Sequence, residues 1–157
     1  MKLWLKILLA IVVVNLLGGV GALFTIEAIP EWYARLERPP GVPPNWVFGP
    51  VWTTLYTLMA VAFALVWHKG QPTPAKKSAL IWFTIQMVFN VAWTPIFFGA
   101  HQLLLALMVI VLLIVAIVIT ICHFARAYSP ATWLLAPYLV WVIYATYLNA
   151  GFWWLNR

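Results

Sequence analysis

The chain of 157 residues contains no aspartate, and its three acidic residues, Glu27, Glu31 and Glu37, all fall in one short stretch. Charged residues make up only 8% of it. That scarcity removes whole classes of chemistry. No carboxylate pair is available for general acid–base work. No carboxylate or lysine stands inside an apolar run, where ion-coupled transporters need an ionisable group. The single cysteine, Cys122, excludes an internal disulfide and a cysteine metal site, and reads as a small apolar helix residue. His68, His101 and His123 sit at or near the ends of apolar runs, two on one side and one on the other. They therefore share no metal site, and His101 is only a weak candidate as a haem ligand. Nucleotide-binding loops, HExxH and GxSxG are absent. So are the period-two alternation of a membrane barrel and any internal repeat.

What is present is apolar: 66% of the residues are hydrophobic. A water-soluble fold of this length could not hide so much apolar surface. Five runs, over 7–26, 47–68, 79–98, 103–125 and 131–153, each approach the ~20 residues that cross a bilayer as a helix. A helix satisfies its own backbone hydrogen bonds, which lipid cannot do. The sequence therefore predicts an all-α membrane protein, one domain over 1–157, with a five-transmembrane-helix bundle and a lid-like loop over 27–46. Lys2 and Lys6 ahead of the first run, and "VGA" ending at Ala22, have the look of a signal peptide. The run continues unbroken to Ile26, longer than a signal-peptide core, so a retained helix is expected. Lys2, Lys6, Lys69, Lys76, Lys77 and Arg126 fall on one side, and Arg35, Arg38 and Arg157 on the other. The positive-inside rule then places the N-terminus in the cytoplasm, with the first long loop and the C-terminus opposite. The net charge of +6 follows from these flanks and does not imply nucleic acid.

Eleven tryptophans are many for this length. Trp4, Trp46, Trp67, Trp82, Trp133, Trp153 and Trp154 suit the interfacial belt. Trp52, Trp93 and Trp141 sit deeper. In the third run Gln86, Asn90 and Thr94 recur every four residues and share a helix face, with Trp93 beside it. Such a stripe serves either as interhelical glue or as the polar floor of an apolar pocket. Trp52 and Tyr56 are one turn apart in the second run. In the fifth, Tyr138 and Trp141 are followed one turn on by Tyr144 and Ala145. These aromatics form either ordinary packing or the walls of one cavity. Gly18 and Ala22 make a small-xxx-small pair, which suits internal packing or a dimer. The prolines of "ERPPGVPPNWVFGPVW" stop any helix and leave a stiff loop.

Three blocks carry a family resemblance: "WYARLERPPGVPPNWVFGPVWTTLYTLM", "FNVAWTPIFFGAHQ" and "PYLVWVIYATYLN", in that order between residues 32 and 149. The chain resembles the TspO/MBR family, the tryptophan-rich sensory and translocator (peripheral-type benzodiazepine receptor) proteins. The resemblance implies a five-helix bundle, usually a homodimer, with a ligand cavity beneath the first long loop. It implies binding of tetrapyrroles such as protoporphyrin IX and haem, of benzodiazepine-type drugs, and of sterols in eukaryotic members, with no obligatory cofactor and no metal. By matching position, the paired cavity tryptophans are Trp52 and Trp141, and the third-helix pair is Asn90 and Trp93. With Tyr56, Tyr144 and Ala145 they form the expected ligand-binding set. Trp32, Arg35, Arg38, Gly41 and Trp46 form the expected lid. A membrane tetrapyrrole-binding sensory or regulatory protein is the function implied. Alternatives are light- and oxygen-dependent porphyrin degradation, in which the chemistry would fall on Trp52 and Trp141, or passive porphyrin or lipid transport. Gly41 stands where the family's loop tryptophan is expected, so Gly41→Trp is expected to supply a missing aromatic contact and tighten porphyrin binding. After Tyr147 no Lys or Arg follows within five residues, which points away from sterol recognition at that end.

Overall fold

A computed structural model describes Met1–Arg157. It contains five α-helices: α1 (Leu3–Glu31), α2 (Asn45–Lys69), α3 (Pro74–Thr94), α4 (Leu103–Tyr128) and α5 (Ala136–Leu155). Four stretches are long and apolar enough to cross a membrane: Leu3–Glu31, Asn45–Lys69, Pro74–Gly99 and Leu103–Leu155. The last is 53 residues long because α4 and α5 are joined only by a tight 3-10 turn, Ser129–Leu135. A straight helix of that length would measure about 80 Å. Instead Asn149 near the end of α5 donates through Nδ2 to the Leu103 carbonyl at the start of α4, at 2.9 Å. The chain has folded back on itself.

Helix ends follow proline chemistry. α1 runs past the expected end at 26 and includes Pro30. A proline in the last turn removes one intrahelical bond and so does not stop the helix at once. The loop between α1 and α2 is accordingly 32–44, with a short 3-10 turn at Tyr33–Arg35. α3 starts early, at Pro74, where a missing N–H goes unnoticed in the first turn. It ends at Pro95, and Pro95–Gly99 form a wider π turn closed by Ala100 N–H to the Pro95 carbonyl at 2.8 Å.

The outside is apolar and the inside carries the polar groups, the arrangement that lipid demands. Leu23 is 69% exposed and Val88 62%. Gln86, Asn90, Thr120 and Asn149 are buried. Asn90 is a hub: its Oδ1 accepts from the Tyr56 hydroxyl at 2.8 Å, and its Nδ2 donates to the Tyr138 hydroxyl at 2.9 Å. Tyr138 in turn donates to Gln86 Oε1 at 2.7 Å. One chain of hydrogen bonds thus joins α2, α3 and α5. At one end of the bundle Lys6 lies over the Trp67 ring, 4.4 Å from its centre, and Lys69 faces Tyr128. At the other end Trp32 stacks on His101 with ring centres 4.2 Å apart.

That second end is closed by the 32–44 loop, which is tied to α5. Glu37 N–H donates to Asn156 Oδ1 at 2.9 Å, and Asn156 Nδ2 returns a bond to the Glu37 carbonyl at 3.0 Å. Tyr147 donates to the Pro40 carbonyl at 3.0 Å, and Tyr144 donates to the Gly41 carbonyl. Pro39 is buried in the notch left by Gly151, where a Cβ would stand 2.5 Å from the Pro39 Cβ. The loop is therefore a strap held along one stripe of α5.

A candidate binding cavity beneath the strap

Under the strap lies a cavity of about 330 Å³, walled by α1, α2, α5 and the end of α3 with its π turn. Trp52 and Tyr56 stack one turn apart on α2, ring centres 5.3 Å apart. Trp141 of α5 meets Phe48 edge-on at 6.1 Å. Trp93 stacks on Phe97 at 5.0 Å, and its indole N–H donates to Asn149 Oδ1 at 3.0 Å. That bond fixes the Trp93 ring, because Asn149 is held in turn by Leu103. No lining side chain is charged. The enclosed part of any occupant must therefore be neutral, since an unpaired charge here would lose its hydration without compensation. Trp141 lines the cavity, while its Nε1 is buried and has no partner.

Five expected ligand-contact residues, Trp52, Tyr56, Trp93, Trp141 and Ala145, line this cavity. Asn90 and Tyr144 do not. The Asn90 amide bonds Tyr56 and Tyr138 behind the wall. The Tyr144 hydroxyl holds the strap at Gly41. Of the α3 stripe, only Thr94 reaches the cavity, while Gln86 and Asn90 serve as interhelical links.

The expected lid residues scatter. Trp32 stacks on His101 beside Glu27 and Glu31, in a shallow groove separate from the cavity. Trp46 is 75% exposed. Arg35 is exposed, while the Arg38 guanidinium sits 5.4 Å from the centre of the Tyr33 ring. Tyr33 lines the cavity, so Arg38 borders its roof through Tyr33. Burial pushes the Tyr33 hydroxyl above its ordinary value, against the opposing pull of the Arg38 charge. Gly41 has φ +87°, and its missing Cβ would meet nothing within 4 Å. None of the three histidines lines the cavity, and no three His, Cys, Asp or Glu side chains are grouped as a metal ion would need.

Several lining residues escaped sequence reasoning. Asn15, Gly18, Ala22, Thr25 and Ile29 of α1 all face the cavity. Their spacing of three and four was the available signal, hidden because small residues suit plain packing equally well. Asn149 continues the four-residue series of Trp141 and Ala145. Phe97 and Phe98 could not be placed, since a π turn shifts the helical register on which face assignment depends.

A family model described as "TspO/MBR family" matches residues 10–155. The chain is 36% identical over 152 residues to a "Tryptophan-rich protein TspO" of Archaeoglobus fulgidus, covering 97% of each chain. It is 37% identical over 139 residues to "Protein CrtK" of Rhodobacter capsulatus, covering 88% of this chain and 85% of that one. With the "Translocator protein" of Homo sapiens it shares 41% identity over 124 residues, 78% of this chain and 73% of the relative.

Proposed function

The chain belongs to the TspO/MBR family, and from that premise we propose that it is an integral membrane receptor for a tetrapyrrole of the protoporphyrin IX or haem type. The observation that carries this reading is the aromatic, uncharged cavity beneath the strap. A flat macrocycle gains by stacking on Trp52, Trp93 and Trp141. The propionates of such a ligand belong outside the neutral chamber. Arg38, at the roof beside Tyr33, and Arg35 on the same strap are the nearest cations to receive them.

The same proposal includes the topology. Lys6 and Lys69 lie at one end, the strap and Asn156 at the other, and α4–α5 fold back, which supports five crossings. The more basic end then faces the cytoplasm. A second copy of the chain as partner is part of the reading too, tested by the mass of the detergent-solubilised protein. Drug-like ligands of the benzodiazepine-site class are further occupants to be tried in the same cavity.

The test is titration with protoporphyrin IX, read by tryptophan fluorescence quenching. Trp52→Phe and Trp141→Phe should each weaken binding and reduce quenching. If both variants bind and quench like the parent, the cavity is not the site. Photochemical degradation is the second reading. The stack of Trp52 on Tyr56 favours it, because an electron-rich pair would lie against an excited macrocycle. Illumination of the complex under oxygen must then bleach porphyrin faster than in free solution; equal rates remove the enzyme reading.

A further inference from the structure

The exposed residues of the cavity lining are confined to α1 and the N-terminal part of α2. Five of its lining residues are exposed: Gly19 and Ala22 of α1, and Asn45, Gly49 and Thr53 of α2. Every lining residue from α3, the π turn and α5 is buried or half-buried. The seam between α1 and α2 is therefore where the cavity meets the outside. Gly19 and Gly49 both have open space where a Cβ would stand. The seam is shut only at its inner end, where Asn15 Nδ2 reaches Thr57 Oγ1 at 3.4 Å and Gly18 lies flat against the Tyr56 ring.

On the water side only Tyr33 of the strap lines the cavity. The strap over the roof is fastened to α5 through Asn156, Tyr147 and Tyr144, with Pro39 seated at Gly151. Its displacement would break those bonds together. The one side-chain bond across the seam is Asn15 to Thr57 at its inner end, and the seam opens beside exposed apolar side chains of α1 such as Leu16 and Leu23. That flank of α1 suits acyl chains.

We infer that the cavity exchanges its occupant sideways with the bilayer, through a portal between α1 and α2 bordered by Gly19, Ala22, Gly49 and Thr53. The strap acts as a fixed roof. The ligand class this selects is a lipid-partitioning molecule, neutral over the part that passes the seam. A flat ring system can pass edge-on between two helices whose facing residues are Gly, Ala and Thr, where a bulky side chain would block it. The inference rests on the reading of the cavity as a ligand site, and adds the direction of entry.

The test needs no ligand. Ala145 on α5 lines the back of the cavity, so Ala145→Cys in a Cys122→Ala background reports entry. The protein is reconstituted in liposomes and treated either with a membrane-partitioning maleimide (N-(1-pyrenyl)maleimide) or with a permanently charged, water-soluble thiol reagent. The apolar reagent should label, and the charged one should label much more slowly. Adding Gly49→Phe, or separately Gly19→Phe, should slow apolar labelling by about tenfold, a change in barrier that side-chain blockage readily supplies. Asn156→Ala, which loosens the strap, should leave both rates unchanged. Equal labelling with and without either phenylalanine would overturn the portal. So would faster charged-reagent labelling in Asn156→Ala, since entry would then run under the strap. Two variants at opposite lips guard against one that misfolds. Protoporphyrin IX preloaded in the same liposomes separates the two readings. A chain that labels through the seam yet shows no quenching has the portal and lacks the tetrapyrrole site.

Discussion

Replacing Asn90 by leucine separates a structural role from a ligand-contact role at the residue where spacing and structure disagree. Asn90 is buried, accepts from Tyr56 at 2.8 Å and donates to Tyr138 at 2.9 Å. Leucine fills a similar volume and removes both bonds. It also leaves the Tyr56 hydroxyl, one of the cavity walls, without an acceptor. In water-soluble proteins two neutral bonds and one stranded donor amount to about 2–3 kcal/mol. Interhelical bonds in membranes average about 0.6 kcal/mol each, because the separated helices also find partners, which sets a floor near 1 kcal/mol. The expected loss therefore lies at about 1–3 kcal/mol, measured by SDS titration of the detergent-solubilised protein. Tyr138→Phe and the double variant complete a cycle. Coupling of at least about 0.5 kcal/mol is expected, since the two residues share one bond. Porphyrin affinity in Asn90→Leu should change less than in Trp52→Phe. A variant of unchanged stability whose affinity collapses would refute the reasoning and return Asn90 to the site.

Three further outcomes follow from the strap. Gly151→Leu should expel Pro39 from its notch and loosen the chain around the already exposed Arg35, so trypsin should cut after Arg35 several-fold faster than in the parent (Arg38 precedes a proline and resists); unchanged cleavage would mean Pro39 does not anchor the loop. Gly41→Trp should not simply add an aromatic contact. At φ +87° any residue with a Cβ carries strain of about 1–2 kcal/mol, so the variant should melt lower, and tighter porphyrin binding without loss of stability would contradict this. Tyr33 gives a pH dependence. Burial holds its proton more tightly in the folded chain than in the unfolded one. That contribution is complete below about pH 10 and fades as pH rises through the higher folded value. Tyr33→Phe should flatten the decline in melting temperature at alkaline pH, and an identical decline in both proteins would exclude Tyr33 as its source.

The apolar runs and their lengths determined an all-helical membrane protein before any coordinates. That inference needs only the cost of unpaired backbone in lipid and the scarcity of charge. Trp52, Tyr56, Trp93, Trp141 and Ala145 were legible as cavity residues because four-residue spacing fixes which side chains share a helix face. Spacing alone could not distinguish the inward faces that meet a void from those that meet another helix. By spacing, Asn90 and Tyr144 are equal candidates for ligand contact; only the structure shows one bonding Tyr138 and the other the strap. The contribution of α1 was equally hidden. Glycines carry no chemistry of their own, and whether Gly19 borders a cavity or a neighbour depends on how far α2 stands from it. Sequence settles periodicity, because periodicity is local. The seam, the strap's fastening to α5 and the turning of Asn90 away from the cavity were decided only when residues distant in the chain came together.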